Sequence, residues 1–194
     1  MAKLYFRFGA MNCGKSSALM QVAYNYEENG KKVILIKSVV DTKGGNTLVS
    51  RIGLKRKVDI LINTNESIKK YFKQWDGKVH CILVDEAQFL SEKQIEQLWI
   101  ASKKLDIPVI CYGLKTDFKS HLFKGSKRLL ELADEIEELI TICSCGKRAK
   151  FNVRFIDGKY TDTGNSVLID GSRSNVEYKP MCGKCYMELK YEKS

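Results

Sequence analysis

Long apolar runs, proline and linker-like tracts are what this chain has least of. No uninterrupted apolar stretch approaches the roughly 20 residues that a membrane span requires, so a helical membrane segment is not expected. Only two prolines occur, and no Pro/Ser-rich tract, internal repeat or low-complexity segment breaks the chain. Any second unit is therefore expected to pack on the first rather than swing from it. The opening residues "MAKLYFRFGA" run straight into a strand-like alternation and lack the apolar core of a secretory signal, which makes the expected location cytoplasmic. Acidic residues are also in deficit: 33 Lys+Arg stand against 23 Asp+Glu, for a net charge of +10. That balance suits a phosphate-rich partner. The lysines, however, are scattered where solvated helix faces are expected (Lys69, Lys70, Lys73, Lys103, Lys104), so nucleic acid is not the expected partner.

What is present organises itself by period. At 194 residues the chain accommodates one full core and a small appendage. Lys3 to Phe8 alternates as a strand, and Ser16 to Asn29 reads as a helix closed by Gly30. "KVILIKS" follows as a buried strand. The polar stretch "DTKGGNTLVSRIGLKR" is expected to be a loop. After it come a short strand "VDILI", a helix over 66–75, the apolar run "HCILVDEAQF", a helix over 91–105, the run "IPVICYGL", a helix over 124–134 and a last strand within "EIEELITIC". Strands alternating with helices predict an α/β fold with a parallel sheet covered on both faces. Near Thr141 the periodicity gives way to paired cysteines, glycine and polar residues. This predicts a nucleotide-binding core over 1–140 and a smaller unit over 141–194.

The densest chemistry lies at the end of the first strand. Gly9, Ala10, Met11, Asn12, Cys13, Gly14, Lys15 and Ser16, followed by Ser17, fill G-x-x-x-x-G-K-[ST] between a strand and a helix. Glycines let the chain fold back so that successive backbone N–H groups face one point. The helix N-terminus adds partial positive charge there, and Lys15 neutralises phosphate oxygens. Ser16 offers a hydroxyl to Mg²⁺. The expected ligand is a nucleotide's phosphates; a chance glycine-rich turn is the plain alternative. A Mg²⁺-holding acid belongs at the end of a neighbouring strand, where "CILV" runs into Asp85 and Glu86. Asp85 fits the metal role and Glu86 that of a proton acceptor. The plain alternative is that both merely cap the helix near Ser91. The Asp-Glu pair suits ATPases that activate water as well as kinases that activate a hydroxyl, so it does not choose between them.

The seven cysteines form two populations. Cys13, Cys81 and Cys111 stand singly and suit the role of small apolar residues. Cys143 with Cys145, and Cys182 with Cys185, form two close pairs whose spacing suits one structural Zn²⁺ with a closed tetrahedral shell; free thiols or disulfides are the alternative. One metal at both ends of 146–181 would make that stretch a tethered flap, positioned to cover the strand ends. A zinc ribbon for nucleic acid or protein is the other reading, with Lys147, Arg148, Lys150, Arg154, Phe151 and Phe155 in its favour.

Taken together, "GAMNCGKSS", "VVDTKGGNTLVSRIGL", "LVDEAQF", "GLKTDFKSHLF", "TICSCGKRA" and "EYKPMCGKCY" resemble, in order and over essentially the whole chain, the type II thymidine kinases of cells and bacteria. The resemblance implies a RecA-like P-loop core with a zinc-bearing lasso, ATP with Mg²⁺, thymidine as acceptor and a homotetramer. It implies that Glu86 is the general base on the 5′-hydroxyl, and that Asp41 and Arg51 lie near the phosphates with Lys15, Ser16 and Asp85. Gln88, Phe89, Leu114, Phe118 and Phe123 would wall the thymine pocket, although spacing alone favours plain core for the four apolar ones. Tyr178 would pack on the nucleoside, and Val167, Leu168, Ile169, Asp170 and Gly171 would contact the base. The chain departs from the family's usual pattern at Ala10 and Asn12 and at Lys43, which stands where an arginine is usual. The function expected is ATP-dependent phosphorylation of thymidine; the rival is a RecA-like ATPase whose zinc ribbon binds DNA or protein.

Overall fold

The computed structural model describes residues 1–41, 45–164 and 175–192. Six strands form one parallel sheet: β1 (Leu4–Phe8), β2 (Val33–Ser38), β5 (Ile60–Ile62), β6 (Cys81–Asp85), β7 (Val109–Gly113) and β8 (Glu135–Glu138), in the order β5-β2-β6-β7-β1-β8. All five pairings are parallel. The continuous apolar runs of β6 and β7 exist because both sheet faces are covered. Along β6, Ile82 and Val84 join one core cluster while Cys81 and Leu83 join the other. Helix α1 (Lys15–Glu27) packs Leu19, Met20 and Ala23 into the second cluster, and α3 (Glu92–Lys104) packs Ile95, Leu98 and Ala101 into the first. Trp75 of the short α2 (Phe72–Trp75) and Leu129 of α4 (Lys124–Leu132) complete that side.

Two expectations differ in detail. The stretch expected to be a loop contains a short antiparallel hairpin, β3 (Thr47–Val49) with β4 (Lys55–Lys57). Its turn is closed by Ser50, whose N–H donates to the Leu54 carbonyl (2.9 Å) and whose Oγ accepts the Leu54 N–H (3.0 Å). The helix expected over 66–75 is a 3₁₀ turn at Ile68–Tyr71 followed by the single turn of α2. There, side chains of α3 satisfy backbone groups around the start of the 3₁₀ turn: Gln97 Oε1 accepts from Ile68 N (2.7 Å), and Gln94 Nε2 donates to the Asn63 and Glu66 carbonyls.

Beyond β8, the short pair β9 (Thr141–Ile142) and β10 (Arg148–Ala149) frames the first cysteine pair. A three-stranded antiparallel sheet then forms from β11 (Phe151–Ile156), β12 (Lys159–Thr161) and β13 (Val176–Met181), in the order β12-β11-β13. Helix α5 (Gly183–Met187) follows and carries Cys185. No helix among the described residues is long and apolar enough to cross a membrane.

Candidate active site

The P-loop is shaped by two backbone positions and one absent side chain. Asn12 (φ 68°) and Gly14 (φ 80°) take the left-handed conformation, which rotates successive N–H groups toward one side and makes an anion-binding concavity. At Gly9 a Cβ would lie 2.5 Å from Cys13 Sγ and 2.6 Å from the Leu139 carbonyl, so only glycine allows the loop to close on itself there. Lys15 is buried, with Nζ donating to the Ala10 carbonyl at 3.2 Å. Asn152 of β11 adds a tie that sequence reasoning did not anticipate. Its Oδ1 accepts the Met11 N–H at 2.7 Å, while Nδ2 reaches the Thr116 carbonyl at 3.4 Å. An amide on an otherwise ordinary strand carries no sequence signal of this kind, because its partners lie more than a hundred residues away for one contact and 36 for the other.

Asp85 ends β6, only 2% exposed, with Oδ1 lacking a hydrogen-bond partner among the described residues. Burial, followed by the charges of Glu86 and Asp41, pushes its carboxyl up to about 8, against the opposing pull of Lys15. In register beside it on β2 stands Lys37, buried and paired to Asp41 at 2.9 Å. Neither Asp85 nor Glu86 caps α3. That task falls to Ser91, whose Oγ accepts from Gln94 N while Gln94 Oε1 accepts from Ser91 N, a reciprocal capping box. Glu86 instead adopts φ 48°, ψ 42°, which turns the chain off the strand and into the 3₁₀ turn Ala87–Phe89.

A cavity of about 620 Å³ opens at the carboxyl ends of the strands, where open α/β sheets bind ligands. The structure brings Met11, Asn12, Gly14, Lys15, Ser16, Ser17, Asp41, Arg51, Glu86, Gln88, Phe89, Leu114, Phe118, Phe123 and Tyr178 to its wall. Gly9, Ala10, Cys13 and Asp85 do not line it. Leu114, Phe118, Phe89 and Phe123 belong to neither core cluster of the sheet, although Leu114 and Phe118 are buried. Phe89 and Phe123 meet edge to face with ring centroids 5.7 Å apart. The expected base contacts Val167, Leu168, Ile169, Asp170 and Gly171 lie outside the described residues. The cavity also takes in Thr116, Asp117, Asn152 and Val176, which sequence reasoning missed.

Two of the residues that favoured a nucleic-acid ribbon, Arg154 and Phe151, are engaged within the protein. Arg154 is 1% exposed, its guanidinium 3.6 Å from the Phe118 ring centroid and donating to the Thr163 carbonyl. Phe151 stacks on Tyr186 at 4.5 Å and 4°.

The Sγ atoms of Cys143, Cys145, Cys182 and Cys185 all lie within 4.8 Å of one another, with Cys145 and Cys182 3.6 Å apart. Four thiolates each about 2.3 Å from a tetrahedral Zn²⁺ stand about 3.8 Å from each other, so the cluster fits that ion. Backbone N–H groups, that of Cys145 first and then that of Cys182, draw the Cys143 thiol down to about 6, while the neighbouring thiols, Cys145 first, push Cys185 up to about 12.

A comparison with known families finds the thymidine kinase model matching residues 2–186. This chain belongs to the thymidine kinase family. The thymidine kinase of Lactococcus lactis is 45% identical over 97% of this chain and 98% of its own length. Those of Haemophilus influenzae and Chromobacterium violaceum are each 43% identical, covering 95% and 96% of this chain and 100% and 98% of their own. Among solved structures, the Pif1 helicase of Candida albicans overlaps 71% of this thymidine kinase family member and 36% of its own chain, at 14% identity and a TM-score of 0.42, too slight a likeness to carry any argument.

Proposed function

We propose that the chain transfers the γ-phosphoryl group of ATP to the 5′-hydroxyl of thymidine, giving dTMP for nucleoside salvage. One observation carries the reading: a single cavity joins a P-loop at one end to a Phe89–Phe123–Phe118 wall at the other, with the Glu86 carboxylate among its lining groups. P-loop amides and Lys15 hold the ATP phosphates and stabilise charge spreading over the transferred group. The oxygen-only donor set of buried Asp85, Asp41 and Ser16 suits a hard cation. Mg²⁺ held there with ATP supplies charge neutralisation at the phosphate oxygens. Arg51, on the turn between β3 and β4, reaches the phosphate side. Glu86 takes the proton of the 5′-hydroxyl as the acceptor attacks in line. Leu114 and the aromatic wall enclose the acceptor, and Tyr178 packs on it from β13.

In this reading residues 1–140 form the kinase core and 141–194 a lid whose ends are tied by a structural Zn²⁺ on the four cysteines. The stretch Val167–Gly171 would contact the base. The family resemblance also leads us to place the enzyme in the cytoplasm as a homotetramer, which light scattering of the purified protein tests directly. Glu86→Gln is expected to lower kcat by about 10²- to 10⁴-fold while ATP still binds, since shape and bulk remain but the proton acceptor does not. A variant keeping more than half of wild-type kcat would remove Glu86 as the base. Thymidine, and not single-stranded DNA, is expected to stimulate ATP turnover; the reverse would favour a DNA-dependent ATPase.

A further inference from the structure

The Glu86 carboxylate is held by a neutral amide: Gln88 Nε2 donates to Glu86 Oε2. The orientation of that amide is fixed from its other end, where Gln88 Oε1 accepts the Leu114 N–H at 3.0 Å. A backbone N–H can face only the oxygen, so the nitrogen must face Glu86. The side chain is 2% exposed and has no room to swing away.

Two glycines frame this arrangement, and neither lies at positive φ, so neither is required by its backbone conformation. A Cβ on Gly113 would stand 2.6 Å from Gln88 Oε1 and 3.2 Å from Gln88 N. A Cβ on Gly125 of α4 would stand 2.5 to 2.9 Å from the carbonyls of Ala87, Leu90 and Gln88. Both glycines therefore serve close approach to the one turn that carries Gln88. Only at Gly113 is the nearest atom the Gln88 side chain itself; at Gly125 it is the backbone of the turn.

We infer that Gln88 is a positioning residue for phosphoryl transfer, holding the Glu86 carboxylate toward the acceptor, and that Gly113 is glycine to permit it. This rests on the reading of Glu86 as the base. It also changes the role expected of Gln88, from a wall that touches thymine to a support for the proton acceptor.

Gln88→Glu tests it, because the variant keeps the volume and the acceptor for Leu114 N–H but replaces the donor facing Glu86 with a second carboxylate. Misplacing a reacting group by about 1 Å costs on the order of a hundredfold in rate, so kcat is expected to fall about ten- to a hundredfold, while the KM for thymidine and for ATP stays within about twofold. Gly113→Ala, which leaves Gln88 in place but displaces its amide, is expected to show the same split, with thermal melting confirming that both variants are folded. In a Glu86→Gln background, Gln88→Glu is expected to cause no further loss, since it acts through a group already removed. A raised thymidine KM with kcat intact would overturn the inference and return Gln88 to the nucleoside wall. Independent losses in the double variant would overturn it too. If Glu86→Gln alone keeps wild-type kcat, the reading of the base itself fails, whatever Gln88 does.

Discussion

At the scale of single residues, the site is built by placing charge where it is costly. Asp85 is buried beside Glu86 and Asp41, and its carboxyl is raised to about 8 from an ordinary value near 4. The sign of the consequence follows. Between those two values the folded chain holds a proton that the unfolded chain has released, so stability falls as pH rises through that window. Asp85→Asn is expected to abolish this part of the pH dependence and to melt higher than wild type at pH 8 without nucleotide, while losing Mg²⁺-dependent turnover. Thermal melts from pH 4 to 8 measure it, and a variant with the wild-type slope would show that Asp85 is not the titrating group. Lys15 makes the complementary case. Its ammonium rests on the Ala10 carbonyl within the loop, and Lys15→Ala is expected to raise the ATP KM and lower kcat together, because phosphate charge is contacted in both ground and transition states.

At the scale of elements, β11 connects two parts that look independent along the chain. One end pairs with β13 next to the second cysteine pair, Phe151 opposite Met181, and one residue further Asn152 accepts the Met11 N–H of the P-loop. Loss of the metal is therefore expected to reach both substrates. Cys182→Ser should drop zinc below one per chain and raise the thymidine KM strongly, because each backbone residue to be re-ordered costs on the order of 1 kcal/mol. It should also raise the ATP KM, though less. Asn152→Ala isolates the second effect. Losing one hydrogen bond worth about 0.5 to 1.5 kcal/mol should weaken ATP about two- to tenfold with zinc retained. Metal analysis with steady-state kinetics on both variants checks this, and an unchanged ATP KM in Asn152→Ala would mean that β11 leaves the P-loop unaffected.

At the scale of the whole molecule, the sheet is a rigid platform because both its faces are packed. Leu83 lies at the centre of β6, fully buried, in register with Leu35 on one side and Ile110 on the other. Leu83→Ala is expected to cost about 2 to 5 kcal/mol, a large share of the 5 to 15 kcal/mol typical of a domain. Chemical denaturation would read this as a lower midpoint. The folded fraction should keep its KM values, since Leu83 faces the core on the side of α1 and not the cavity. A change in KM without a change in midpoint would mean that the platform itself bends into the site.

Local pattern and fixed spacing are legible without coordinates, because the physics they report is local. The glycine, lysine and serine spacing of residues 9–16 makes an anion cradle wherever a strand meets a helix. The unbroken apolar runs of β6 and β7 imply a doubly covered parallel sheet, and paired cysteines imply a metal. What only tertiary structure decided is where those pieces meet. Period and composition cannot tell that Phe89, Leu114, Phe118 and Phe123 line a cavity, since an apolar side chain has the same pattern whether it faces a neighbour or an opening. The basic look of the 147–155 stretch conceals that Arg154 is buried over Phe118. Gly113, Gln88 and Glu86 become one unit only when β7 lies beside the turn after β6, and Asn152 becomes part of the P-loop only when β11 folds back onto it. Such contacts join residues far apart in the chain, and their distances are set by the packing of the sheet and helices between them.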